Sequence, residues 1–142
     1  MDINHIKQTL LKQKKAEDSP VVILSLLRYF NDTEDMSVIK KLSGVSSAGL
    51  TFEGIMNAFE YKGYECKAYQ ASIDDLIKYN KPMILQTINP MTLQNHFSIF
   101  YGIQGANFII GNITTGFLDE IDRKHLCEIW LSGFCLSVSR NT

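Results

Sequence analysis

Residues 21–27, Val-Val-Ile-Leu-Ser-Leu-Leu, are apolar almost all round a helical projection, and they follow a Ser19-Pro20 pair of the kind that opens helices. A helix without a polar face has to lie inside the molecule. The spacing therefore predicts a central, buried helix with Ser19 as its cap and Pro20 as its first residue, ending near Tyr29. At 142 residues the chain is long enough to wrap it, since a domain of this size buries roughly 68% of the surface its unfolded chain exposes.

The remaining pattern divides into helices first and strands later. Residues 34–42 with Gly44 just beyond predict a second helix, and a third begins after Thr51, where Phe52, Ile55, Met56 and Phe59 recur at helical spacing and Gly63 ends the run. After Gly63 the period changes. Tyr64, Cys66 and Ala68 alternate with Glu65 and Lys67 as in a half-buried strand, and Ser72 with Asp75 three residues on marks a brief helix to Tyr79. Strands are predicted over 83–88, 96–103, 107–111 and 134–138, with a turn at Gln104-Gly105 and a short helix over 122–130 before the last strand. With no repeat, linker or low-complexity tract, the expectation is one α+β domain spanning 1–142, its cleft between the helical and the sheet halves.

Composition narrows the function classes. Fourteen basic residues against fifteen acidic ones give a formal charge of -1, so no overall field favours nucleic acid as a partner. Lys12, Lys14 and Lys15, with Lys7 nearby, read as a solvated face. The longest apolar stretch is far short of the ~20 residues that span a bilayer, so no direct membrane insertion is expected. Residues after Met1 also lack the apolar core of a secretory signal. Cys66, Cys127 and Cys135 are odd in number and lack a Cys-x-x-Cys pair, which predicts buried free thiols rather than disulfides. His5, His96 and His125 are not spaced with cysteines or carboxylates for zinc, the glycines at 44, 49 and 54 do not form a phosphate loop, and no Gly-x-Ser-x-Gly elbow is present. No metal or cofactor is expected.

Four positions nevertheless carry a chemical pattern: Gln13, Ser19 six residues later at the helix start, the Asn95-His96-Phe97 run opening a strand, and Asn112 sixteen residues after His96. An oxyanion donor upstream of a nucleophile at a helix N-terminus, with an imidazole and its orienting partner from a later sheet, is the layout of a papain-type site. Over nearly its whole length the chain resembles the double-glycine leader peptidases, papain-like cysteine peptidases of family 39 found at the N-terminus of bacteriocin and peptide ABC exporters. In that family the cysteine sits in Asp-Cys-Gly and the orienting residue in Asp-Pro. Here Asp18-Ser19-Pro20 and Asn112-Ile113 stand in those places, with Gly116 closing the following turn.

Each departure has a physical consequence. A helix N-terminus and an imidazolium can draw a thiol to its thiolate at neutral pH, but a serine hydroxyl is far too weak an acid and needs His96 as a true general base. Asn112 can fix a tautomer of His96 yet brings no negative charge, and Pro20 places a ring where a glycine would leave room for substrate. The resemblance thus implies a papain-like fold whose catalytic positions, Gln13, Ser19, His96 and Asn112, are degenerate. Its implied role is a catalytically inactive docking module for a peptide or leader, contacted by Asp18, Pro20, Pro90, Met91, Leu93 and Asn95.

The resemblance further implies that the transmembrane and nucleotide-binding parts of a parent exporter follow this domain, which would face the cytoplasm at the bacterial inner membrane, with the isolated domain soluble. One alternative is an active hydrolase using Ser19, His96 and Asn112. Another is a structural or regulatory domain that binds no peptide.

Overall fold

The computed structural model describes residues 1–15, 19–46 and 49–140. Its N-terminal half is helical: α1 (Ile3–Thr9), α2 (Val21–Tyr29), α3 (Met36–Ser43) and α4 (Phe52–Tyr61) precede β1 (Tyr64–Gln70). There follow α5 (Ile73–Tyr79), β2 (Met83–Ile88), β3 (Asn95–Gln104), β4 (Asn107–Asn112), β5 (Phe117–Ile121), α6 (Arg123–Ile129) and β6 (Phe134–Arg140). The strands form one six-stranded sheet in the order β1-β6-β2-β3-β4-β5, every adjacent pair antiparallel. The α+β class expected from the sequence is the class observed.

Alternation along the strands divides the core into two layers. Ile84, Phe97, Ile99 and Leu136 pack with α1 to α4 on one face, while Met83, Leu85, Phe100 and Cys135 pack with Leu76 of α5 and with Leu126 and Trp130 at α6 on the other. The sheet is therefore covered on both faces, not on one. The predicted central helix lies in the first layer, where Val22, Ile23, Leu26 and Leu27 are wholly buried. At roughly 1.5–3 kcal/mol for each large aliphatic side chain removed from water, this one helix is a principal source of the fold's stability.

Two short helices follow their sequence signals closely. Ser72 and Asp75 exchange hydrogen bonds in a complete capping box on α5, and Thr51 Oγ1 accepts from the Gly54 amide at 3.0 Å to cap α4. Gly44 ends α3 with φ +63, a left-handed value that a residue without a side chain adopts at little cost. The start of α2 differs from expectation. Pro20, not Ser19, occupies the cap position, and the Ser19 side chain caps nothing; the backbone carbonyls of Ser19 and Pro20 accept from Val22 at 3.2 Å and Ile23 at 2.9 Å instead. Proline fixes φ at a helical value, so the first turn can close on main-chain acceptors alone. The cysteines also depart in part. Cys135 is buried and Cys66 half-buried, but Cys127 is exposed on the outer side of α6, where Leu126 is the residue that turns inward.

Two predictions follow from this packing. A methyl group on Gly54 would collide with the Ser43 carbonyl of α3, a main-chain atom that cannot swing away. Gly54→Ala should therefore lower the unfolding free energy in urea by about 2–3 kcal/mol, the usual cost of overpacking; an unchanged midpoint would show that α3 and α4 are less closely apposed. Conversely, the Tyr101 hydroxyl is buried with no hydrogen-bond partner. Tyr101→Phe removes that unsatisfied group and should leave stability unchanged or raise it by up to about 1 kcal/mol. A marked loss of stability would mean that the hydroxyl does have a partner.

Candidate functional site

The loops at one end of the sheet surround a cleft of about 510 Å³ lined by Gln13, Ser19, Gln86, Asn95, His96 and Phe97 among others. Three residues that the sequence pattern singles out, Gln13, Ser19 and His96, are thus brought together from three separate segments. The segment carrying Gln13 is held at both ends of a short span. The Leu11 amide donates to the buried Ser25 hydroxyl of α2 at 2.9 Å, and the Gln13 amide donates to the Ile113 carbonyl just past β4 at 2.6 Å. Ser25, the one polar residue of the apolar run, is therefore the tie between α2 and the segment that carries Gln13.

His96 sits at the beginning of β3, half-buried. Strand alternation sets it on the same side as Ser98 and Phe100, and its place at the strand end borders two cavities at once. The second, of about 330 Å³, is lined by His96, Ser98, Asn112, Asp119, His125 and Glu128 with several isoleucines. Beneath it, Thr87 Oγ1 lies 2.8 Å from the Ser98 hydroxyl and 3.4 Å from the His96 carbonyl that it donates to, a buried polar pair that fixes this strand end.

The three groups do not form a working triad as they stand. Ser19 Oγ is buried and has no hydrogen-bond partner, so the His96 ring does not hydrogen-bond to it. Asn112 turns into its own hairpin: its Oδ1 accepts from the Thr114 and Thr115 amides at 2.9 and 3.3 Å, and its amide donates to Asp119 Oδ2 at 3.5 Å. Among the described residues it makes no hydrogen bond to His96. Burial holds the imidazole below its ordinary value, with no neighbouring carboxylate to raise it. No thiol takes over the role of nucleophile either. The Cys66 thiol is pushed up to about 12 and the Cys135 thiol to about 11, both chiefly by burial, and none of the cysteines lines the cleft.

The family model of the peptidase C39 family matches residues 7–142. The chain belongs to that family. Solved structures agree on the fold. The peptidase domain of Streptococcus ComA, a bi-functional ABC transporter involved in quorum sensing, superposes with a TM-score of 0.80 at 23% identity, over 93% of this chain and 98% of that one. A double glycine motif protease from an AMS/PCAT transporter, solved in complex with its leader peptide, gives 0.81 at 21% identity over 93% and 91%. The N-terminal peptidase C39 like domain of a Vibrio parahaemolyticus toxin secretion ATP-binding protein gives 0.70 at 15% identity over 91% and 99%. No curated protein sequence matches the chain.

Within this C39 fold the other expected contact residues are distributed unevenly. Asn95 lines the Ser19 cleft and Pro90 the second cavity, whereas Pro20 is buried and lines neither. Met91 and Leu93 are 90% and 71% exposed on the β2–β3 hairpin, outside both cavities. Their loop is rigidly built, since Asn89 accepts at its side chain from Met91 and at its carbonyl from Leu93. Asp18 lies outside the described residues. Sequence reasoning missed Asp119, Glu128 and His125. Gly116 marked the turn after Asn112, and extending a strand beyond that turn would have brought Asp119 back beside Ile110, its observed partner.

The depressed imidazole has a testable sign. Folded His96 holds its proton less tightly than the free side chain, whose ordinary value is 6.5, so the unfolded chain binds more protons in the window just below that value. Its contribution to stability is complete above that value and is lost as the pH falls through the folded value. Ring-proton NMR should show His96 titrating below the ordinary imidazole value. A normal midpoint would mean that the ring is open to water, and a raised one would place a carboxylate against it.

Proposed function

We propose that this chain is a peptidase-fold docking domain, which holds a leader or adjoining segment of an exported peptide in the Ser19 cleft without hydrolysing it. The observation that carries the reading is the state of Ser19: the residue lines the same cleft as His96, yet its hydroxyl is buried and unpartnered. Serine attack on a carbonyl needs a base hydrogen-bonded to the hydroxyl and a partner that orients the base. Here the base is neutral but detached, and the candidate orienter is engaged with Thr114 and Thr115. Binding makes no such demand. A cleft floored by Phe97 and Ile113 and edged by side-chain amides can pair with an extended backbone, and needs neither metal nor cofactor.

The relatives support the placement of this role. ComA's peptidase domain is part of an ABC transporter, and the AMS/PCAT domain was solved holding a leader peptide. By analogy the domain is the N-terminal part of an exporter, on the cytoplasmic side of a bacterial inner membrane, with transmembrane and nucleotide-binding parts following it. None of the described helices is long and apolar enough to cross a membrane, consistent with a domain attached to the transporter rather than embedded beside it.

The grouping of Gln13, Ser19 and His96 favours one rival, a serine hydrolase that tightens when substrate binds. A fluorophosphonate probe separates the two. Docking predicts no labelling of Ser19 in the folded chain, together with amide shifts around Gln13, Ser19 and His96 when peptides ending in Gly-Gly are titrated. Ser19 labelling that His96→Ala abolishes would establish the hydrolase instead, and an unresponsive cleft would defeat docking.

A further inference from the structure

The Ser19 cleft and the second cavity share Asn89, His96 and Thr114, so they are two lobes of one trough that bends round the end of β3. Their chemistry differs. Among the described residues the first lobe is lined by no carboxylate, lysine or arginine; its polar side chains are amides and hydroxyls with the imidazole of His96. The second has an apolar floor of Ile88, Ile110, Ile121 and Ile129, with the carboxylates of Asp119 and Glu128 at its wall and no lysine or arginine.

Among the described residues neither carboxylate has an ion-pair partner, not even Lys124 one turn before Glu128. The ion pairs of the described residues join Lys62 to Asp32 and Glu34, Arg123 to Asp74, and His125 to Asp122. Asp119 receives only the long contact from Asn112, and Arg123, the nearest arginine in sequence to Glu128, is engaged with Asp74. An aliphatic floor beneath an unpaired negative wall matches one kind of group: a hydrocarbon stem carrying a cationic head, as in lysine or arginine.

We infer that the second lobe is a subsite for a lysine or arginine side chain of the docked peptide, whose adjoining uncharged residues occupy the Ser19 lobe. The inference rests on the docking reading and adds a specificity to it. The trough would select a small, neutral stretch followed within a few residues by a basic one, because the lobes adjoin along Asn89, His96 and Thr114 and an extended chain advances about 3.3 Å per residue. A free diamine offers the same head and stem without the peptide, and is the competing source.

Isotope-labelled chain titrated with blocked Ala-Gly-Gly-Lys-Ala and with its norleucine counterpart tests this directly. The lysine peptide should bind about fourfold tighter, the effect of a half-exposed charge pair, and should alone shift the amides of Ser98, Asp119 and Glu128. Glu128→Gln, a surface change on α6, and Asp119→Asn should each reduce that preference. Equal binding of the two peptides, or a preference that survives both variants, would overturn the subsite.

Nα-acetyl-lysine methylamide and cadaverine read the second lobe by itself. If they bind there while no peptide perturbs Gln13, Ser19 or Phe97, the cation site stands as a free-amine site and peptide docking fails. If both peptides perturb the Ser19 lobe alone, docking stands and the subsite is lost.

Discussion

Burial of α2 is the constraint on which the rest of this molecule depends. A helix that is apolar on every side leaves no direction in which to face water, so α1, α3, α4 and one face of the sheet must all close on it, and Val22, Ile23, Leu26 and Leu27 have no exposed surface. Closure fixes the helix in rotation as well as position, because its one wholly buried polar side chain, Ser25, has to find a partner in the core. That partner is the Leu11 amide. A buried hydroxyl and a buried amide satisfied by each other contribute about 1 kcal/mol net, whereas either left alone would cost about 1–3 kcal/mol. The site inherits its geometry from this bond: Gln13 is two residues beyond it and Ser19 two residues before the helix.

On the sheet side a comparable device sets His96. Thr87 and Ser98 lie diagonally across β2 and β3, wholly or almost wholly buried, and pair through their hydroxyls. Two valines would pack there at less risk, since a polar pair in the core is stable only while both members are satisfied. What the pair supplies is a fixed register at the strand end, because a slip of one residue would move every side chain to the opposite face. His96 and Phe97 would then exchange places, and Phe97 would leave its contact with Phe52, whose ring centre lies 5.2 Å away.

The elements readable in the sequence are those whose side chains alone determine them. α4 and α5 carry side-chain caps and apolar periodicity, α2 an apolar run opened by a proline, and β2 through β4 apolar runs bounded by turn residues, so their limits fell close to the observed ones. α1 and β5 went unread because their support is tertiary. The α1 sequence Ile-Asn-His-Ile-Lys-Gln-Thr is mostly polar; Ile6 buries against the core and His5 Nε2 meets the Tyr29 carbonyl at 2.7 Å, a contact no local pattern announces. β5 is an edge strand, Phe-Leu-Asp-Glu-Ile, with its phenylalanine exposed and two carboxylates in the middle. Its pairing with β4 defines it, and charged residues on an outer strand also discourage pairing with another chain. Of the site, spacing conveyed that Gln13, Ser19 and His96 share a cleft. It could not convey that Asn112 would turn into its own hairpin, because an asparagine after a strand and before a turn glycine reads equally as an orienting group and as an Asx turn.

The same burial explains why retaining the fold need not retain the reaction. A cysteine at a helix start can ionise with help from an imidazolium, and a desolvated cleft then strengthens the ion pair. Replace the sulfur by a hydroxyl and desolvation acts the other way: it keeps His96 uncharged and offers Ser19 nothing to hydrogen-bond. Rebuilding catalysis from this state would require His96 to approach Ser19 and an acceptor to approach His96, while Asn112 is held by two amides of its turn. The docking proposed above loses nothing by these changes, since the amide-rimmed Ser19 lobe can pair with an extended backbone whether or not a nucleophile stands at its end.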